Sequence, residues 1–208
     1  MFNSLKNKTM KTTLFIILTF TSFINCFSQT ADKYYDSGNE KFGNEDFKGA
    51  ILDYNKAIEV NPKNVDAFTY RGAAKIRLKN NTEAIVDFNK SIEIDPNHSE
   101  AYFFRGMAKN NIKDYKGAIA DYSKAIDLKY NDAYGLRWES KYCLQDYKGA
   151  IVDFTDAIKI DPGYAKAYYW RGLSEIKLGE KDNGCNDLKK AKELGYKESE
   201  ESINKYCK

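Results

Sequence analysis

A single histidine, His98, and four cysteines at 26, 143, 185 and 207 are the side chains from which a nucleophile, a general base or a metal site would be built. Acid–base or Cys–His catalysis would have to run through His98. It stands beside Pro96-Asn97, where nothing around it completes a catalytic set, and it reads as a surface residue of a helix connection. Metal binding by a Cys/His cluster fails on the same count. The glycines are single and periodic, not grouped into a phosphate-cradling loop. Asp and Glu are plentiful, but their regular spacing is that of solvated helix faces. The chain reads as a protein with no enzymatic activity, no cofactor and no metal.

One charge pattern does recur. Arg71, Arg105, Arg137 and Arg171 keep one place, and Asp53, Asp87, Asp121, Asp153 and Asp187 keep another. As a binding device this is an arginine ladder for an acidic partner. As a structural device each Arg pairs with an Asp of its own or the preceding segment, and that reading is preferred. Ser37 stands where the first Arg would be, which suits pairing with a preceding segment that the first does not have. Partly buried pairs of this kind fix register more than they add stability.

The elements that position these residues follow from a repeat. Phe47-Lys48-Gly49-Ala50-Ile51 returns as Asn81-Thr82-Glu83-Ala84-Ile85, Tyr115-Lys116-Gly117-Ala118-Ile119 and Tyr147-Lys148-Gly149-Ala150-Ile151. Each is followed at fixed distance by an aromatic, a small residue and, in three of the four, Asn-Pro or Asp-Pro at Pro62, Pro96 and Pro162. Register gives five units: 31–64, 65–98, 99–130, 131–164 and 165–198. All have 34 residues except the third, which has 32 and ends on Tyr130 instead of Pro. Each unit carries two amphipathic helical patterns. In the third unit, Tyr102, Phe104, Met107 and Ala108 precede a turn at Lys113-Asp114, and Tyr115, Ala118, Ile119, Tyr122, Ala125 and Ile126 follow it.

Small residues allow the helices to approach. Gly38, Gly72, Gly106 and Gly172 hold one place on the first helices, and Ala50, Ala84, Ala118 and Ala150 one place on the second. Tyr34, Phe68, Tyr102, Tyr134 and Tyr168, with Tyr54, Phe88, Tyr122 and Phe154, are expected to fill the core between them. Trp138 replaces the Gly of the fourth unit, directly after the shortened third, so a local change of stacking angle is expected there. Gly184 replaces the Ala of the fifth.

These five in-register copies resemble the tetratricopeptide repeat. The resemblance covers the chain from residue 31 and rests on the first-helix aromatic and Gly, then Ala, Tyr/Phe, Ala and Pro. It implies an all-α fold, a right-handed α-solenoid of helix hairpins whose concave face, built by the first helices, binds peptides or partner helices. The candidate partner-binding residues on that face are Tyr35, Asn39 and Phe42, Thr69, Phe103 and Asn110, Tyr142, and Tyr169, Leu173, Ile176 and Lys177. Members that hold a chaperone's C-terminal carboxylate use a Lys, Asn and Arg clamp. Only Asn39 matches part of it here, so chaperone-tail binding is not expected.

The first 28 residues read as a secretory signal. Lys6, Lys8 and Lys11 precede a short apolar run, Leu14 to Phe20, too short and too interrupted to span a bilayer comfortably. Cys26 follows Asn25, where a lipoprotein signal carries a small residue, so its loss with the signal is expected. The chain is +3 overall, and removing three lysines leaves 30 basic and 30 acidic residues, interleaved. No block of like charge suggests nucleic acid or an anionic membrane, and no small-molecule substrate is implied. The expected role is a protein-interaction scaffold beyond a bacterial inner membrane, periplasmic, envelope-associated or secreted. Membrane association would require a retained signal or lipid on Cys26, and the alternative role is a lipid-anchored subunit of an outer-membrane or secretion assembly.

At the C-terminus, residues 198–207 read as a polar capping helix after a turn at Gly195-Tyr196. In an antiparallel hairpin, residues equidistant from the turn face each other. Cys185 and Cys207 each lie eleven residues from Tyr196, which predicts a disulfide between them. Gly184 is expected to leave room for it, and Cys143 stays unpaired.

Overall fold

The computed structural model describes residues 30–208, and among these every regular element is helical. The signal reading and Cys26 lie outside the described residues. The elements are α1 (30–43), α2 (Phe47–Val60), α3 (Val65–Arg77), α4 (Asn81–Ile94), α5 (Ser99–Asn111), α6 (Tyr115–Asp127), a 3-10 turn (Asn131–Ala133), α7 (Tyr134–Cys143), α8 (Tyr147–Ile160), α9 (Ala165–Lys177), α10 (Lys181–Glu193) and α11 (Ser199–Tyr206). Each helix packs chiefly on its neighbours in sequence, giving a solenoid of five hairpins closed by α11.

Local chemistry sets the helix ends. Asp46, Asp114 and Asp146 cap α2, α6 and α8 by accepting the amide protons of Gly49, Gly117 and Gly149 at 2.9–3.0 Å. A side chain on any of those three glycines would collide with the capping carboxylate. This explains the Lys-Gly-Ala motif. Where Asn80 makes no side-chain cap, Glu83 replaces the glycine. First helices end on a left-handed residue, Glu45, Lys79, Lys113, Gln145 or Gly179. The next amide then bonds back to the last turn, as from Asp114 to the Lys109 carbonyl at 2.9 Å.

Second helices end in two ways. Asn61, Asp95 and Asp161 are extended and lead into Pro62, Pro96 and Pro162. Lys129 and Gly195 are instead left-handed, and the amides of Tyr130 and Tyr196 close back on Ala125 and Ala191. This is why tyrosine replaces proline at those two ends: a proline there would have no N–H to donate.

In the core, Tyr54, Phe88 and Tyr122 lie over Gly38, Gly72 and Gly106 of their own hairpins, and Ala50, Ala84, Ala118 and Ala150 are fully buried. The fourth hairpin repacks: Trp138 is buried against Phe154 at 4.7 Å and Trp170 at 5.1 Å. Its first helix opens through the 3-10 turn. In the fifth, Gly184 faces Gly172 and Ile176 of α9, so the room it makes serves the α9–α10 hairpin and not α11, as the sequence suggested. Cys185 and Cys207 lie at bridging distance, with a Cα separation of 5.7 Å, inside the range a disulfide requires.

The expectation that both aromatic rows fill the core needs correction. Of the first-helix row only Phe68 is buried, and Tyr34, Tyr102, Tyr134 and Tyr168 are half-buried. Arg71, Arg105, Arg137 and Arg171 lie over the rings of Phe68, Tyr102, Tyr134 and Tyr168 at 5.3–5.5 Å. Those rings therefore support guanidinium groups.

Candidate functional site

The charge ladder is internal. Arg71, Arg105, Arg137 and Arg171 each grip an aspartate of their own hairpin with two parallel hydrogen bonds of 2.5–3.0 Å, to Asp87, Asp121, Asp153 and Asp187. Their remaining Nη1 donates to the preceding hairpin, to Asn55, Asn89, Ser123 and Thr155 at 2.6–3.2 Å. The link to the preceding unit is thus made through an amide or hydroxyl. In the first hairpin Ser37 and Lys41 bond Asp53. With all three nitrogens of each guanidinium bonded inside the fold, the ladder offers no row of free guanidinium groups to an acidic partner.

A second basic row completes each pair. Lys41, Lys75, Lys109 and Lys141 lie within 2.5–2.9 Å of Asp53, Asp87, Asp121 and Asp153. The fifth hairpin puts Glu175 there. One of its carboxylate oxygens is buried without a hydrogen-bond partner. Burial and then the charge of Asp187 push this carboxyl up to about 7.

Two of the clefts among the described residues bear on binding, and the first-helix face holds the smaller of them. One, of about 250 Å³, is lined by Phe42, Tyr70, Ala73, Ile76, Phe104 and Met107, with Arg77 at its lip. Arg77 also stacks on Phe47 at 4.5 Å and reaches Glu45 at 3.6 Å. The other, of about 440 Å³, opens around Phe103 of α5, Gly135 of α7 and Tyr164, and is walled as well by Ala157 and Ile160 of the second helix α8.

The structure distributes the sequence-chosen residues unevenly. Phe42 lines the smaller cleft and Phe103 the larger. Thr69 does not reach the surface: it is fully buried, and its hydroxyl bonds Ser91 at 2.8 Å and the Val65 carbonyl at 3.0 Å. Asn39 accepts from the Tyr54 hydroxyl at 2.8 Å, and Asn110 from buried Ser140 at 2.8 Å, so both carbonyl groups bind inside the fold. Tyr169 packs on Tyr196 and shares a 3.1 Å hydrogen bond with Ser202 of α11, covering the C-terminal cap. Tyr142 packs on Tyr147 and Trp170. Tyr35 lies between Tyr54 and Tyr70. Ile176 meets Gly184, Leu173 is half-buried and Lys177 is exposed. Tyr70, Met107 and Gly135 line clefts and were not chosen from sequence.

His98 lies 3.7 Å from Asp66 and 4.0 Å from Glu100, and Cys143 is exposed and unbridged. Among the described residues no group of three or more His, Cys, Asp or Glu could hold a metal ion, and no helix is long and apolar enough to cross a membrane.

Comparison with known proteins agrees with this architecture. A family profile described as TPR repeat matches residues 38–79, and one described as tetratricopeptide repeat matches 67–98, 99–132 and 165–194. The chain belongs to the tetratricopeptide repeat family. No curated protein matches it. The crystal structure of MamA protein is similar at 30% identity and a TM-score of 0.72, over 86% of this chain and 96% of that one. The first TPR domain of Spaghetti (RPAP3), bound to the HSP90 peptide SRMEEVD, is 28% identical with a TM-score of 0.55, over 56% of this chain and 94% of that one. The TPR2B domain of yeast Sti1, in complex with pHsp70, is 27% identical with a TM-score of 0.54, over 55% and 98%.

Proposed function

We propose that this chain is a protein-interaction scaffold that takes an extended or helical segment of a partner protein along its first-helix face. The observation that carries the reading is the apolar cleft of about 250 Å³ between α1, α3 and α5 on that face, sized for one or two side chains, beside which a cleft of about 440 Å³ opens between α5, α7 and the end of α8. The ladder residues, by contrast, are spent on the fold. Peptide binding by the RPAP3 domain supports the reading by likeness. The terminal carboxylate clamp is not carried over, because only Asn39 of its Lys, Asn and Arg set is matched. Export, and with it an oxidised Cys185–Cys207 bridge, completes the proposal.

Selection of a displayed random-peptide library on the chain tests it. Selected peptides should lose binding to Met107→Glu, which alters the smaller cleft, and keep binding to Val86→Glu on the exposed side of α4. Thermal melts would show that both variants remain folded. Peptides indifferent to Met107→Glu and lost with Val86→Glu would overturn the reading.

A further inference from the structure

The larger cleft exists because three local features coincide. The second helix of the third hairpin ends early, with Lys129 left-handed. A 3-10 turn, Asn131–Ala133, then replaces the first turn of a regular helix. Gly135 stands where the other four units have Tyr35, Thr69, Phe103 and Tyr169. A Cβ at Gly135 would meet only the Tyr164 hydroxyl, at 3.6 Å. The glycine therefore leaves volume open that the other units fill with a side chain.

The chemistry of the walls is one-sided. Phe103, Tyr134, Leu136, Ile160 and Tyr164 give apolar and aromatic surface, and Asp132 and Asp161 are both exposed at the lip. One oxygen of Asp161 accepts the Gly163 amide at 2.8 Å. Among the described residues no lysine or arginine lines the cleft, and Arg137, which lies over the Tyr134 ring, is bonded to Asp153 and Ser123. The smaller cleft has the opposite lip, Arg77.

We infer that the larger cleft is a recognition pocket for an arginine or lysine side chain of the partner. The methylene stem would lie against Phe103 and Tyr164 while the cationic head meets Asp132 and Asp161. This rests on the partner lying along the first helices, from which Phe103 and Gly135 open the cleft toward the end of α8. It adds the chemistry of one required partner residue.

The probe is Nα-acetyl-arginine methylamide, with the isosteric citrulline compound as its neutral control. Both are titrated into the full chain and followed by the amide resonances of Gly135 and Tyr164. The arginine compound should shift both resonances saturably, binding about tenfold more tightly than citrulline and more weakly as salt rises. Asp132→Asn/Asp161→Asn, which changes only exposed carboxyls, should abolish that preference. Gly135→Leu should fill the cleft and block both compounds. Equal binding of the two compounds, no shift at Gly135, or an arginine preference that survives in the double Asn variant overturns the inference. If selected peptides still bind at Met107 in any of those cases, the scaffold reading stands and only the pocket assignment fails.

Discussion

Glu175→Lys should stabilise this protein, and should do so by an amount that depends on pH. Four hairpins place a lysine within 2.5–2.9 Å of the ladder aspartate, whereas the fifth sets Glu175 near Asp187. Moving a carboxyl from its usual 4.5 to about 7 corresponds to about 3 kcal/mol at ~1.4 kcal/mol per unit. Solvent screening of this partly exposed group reduces that to about 1–2 kcal/mol. The sign follows from linkage. The folded chain holds the Glu175 proton more tightly than the unfolded chain, so stability declines as pH rises from about 4.5 to about 7 and stays low above it. Glu175→Gln removes the penalty alone and should gain about 1–2 kcal/mol at pH 8 and a fraction of that at pH 5. Glu175→Lys adds the missing ion pair and should gain about 1 kcal/mol more. Urea unfolding followed by circular dichroism at the two pH values measures both. Gains of equal size at both pH values, or a loss of stability in Glu175→Lys at pH 8, would refute the reasoning.

Three more outcomes follow from named contacts. Asp121→Ala should cost about 3–5 kcal/mol by leaving Arg105 and Lys109 unpaired, and more than Arg105→Met, which leaves Lys109 on Asp121; denaturant midpoints that barely move in both variants would mean that the ladder is a free surface. Lys113→Gly should raise stability by up to ~1 kcal/mol, because Lys113 has φ of 66° and glycine occupies that region without strain; an unchanged or lower melting temperature contradicts this. Under oxidising conditions Cys207→Ser should lose about 3 kcal/mol, and the denatured, unreduced protein from residue 30 should titrate one thiol, Cys143; three thiols would mean that the bridge does not form.

Much of this architecture was legible because a period of 34 residues repeats the same contacts. The hairpins, the paired glycine and aromatic, and the approach of Cys185 to Cys207 all follow from spacing on helices. What spacing hid is how far the next helix leans over a face. It put Thr69, Asn39, Asn110 and Tyr169 on a face open to a partner, whereas each is bonded inside the fold. The signals that could have shown this are breaks in the rows. Ser91 interrupts the row Ala57, Ala125, Ala157 and Ala191, and it is the partner of Thr69. Glu175 interrupts a row of lysines, and Gly135 a row of larger side chains. The arginine–aspartate pairing within one hairpin needed coordinates, since both candidate aspartates stand at helical register.

Met107 gives the most direct test of the first-helix face as the binding surface. It is one of three methionines in the chain and lines the smaller cleft, and the other two, Met1 and Met10, precede residue 30. Protein starting at residue 30 and labelled with methyl-¹³C methionine therefore reports on that cleft alone, apart from any initiator. A selected peptide should shift the Met107 methyl resonance saturably, with the same dissociation constant that anisotropy of the labelled peptide gives. Saturable peptide binding that leaves the Met107 resonance unmoved, and is abolished by Val86→Glu, would contradict the account.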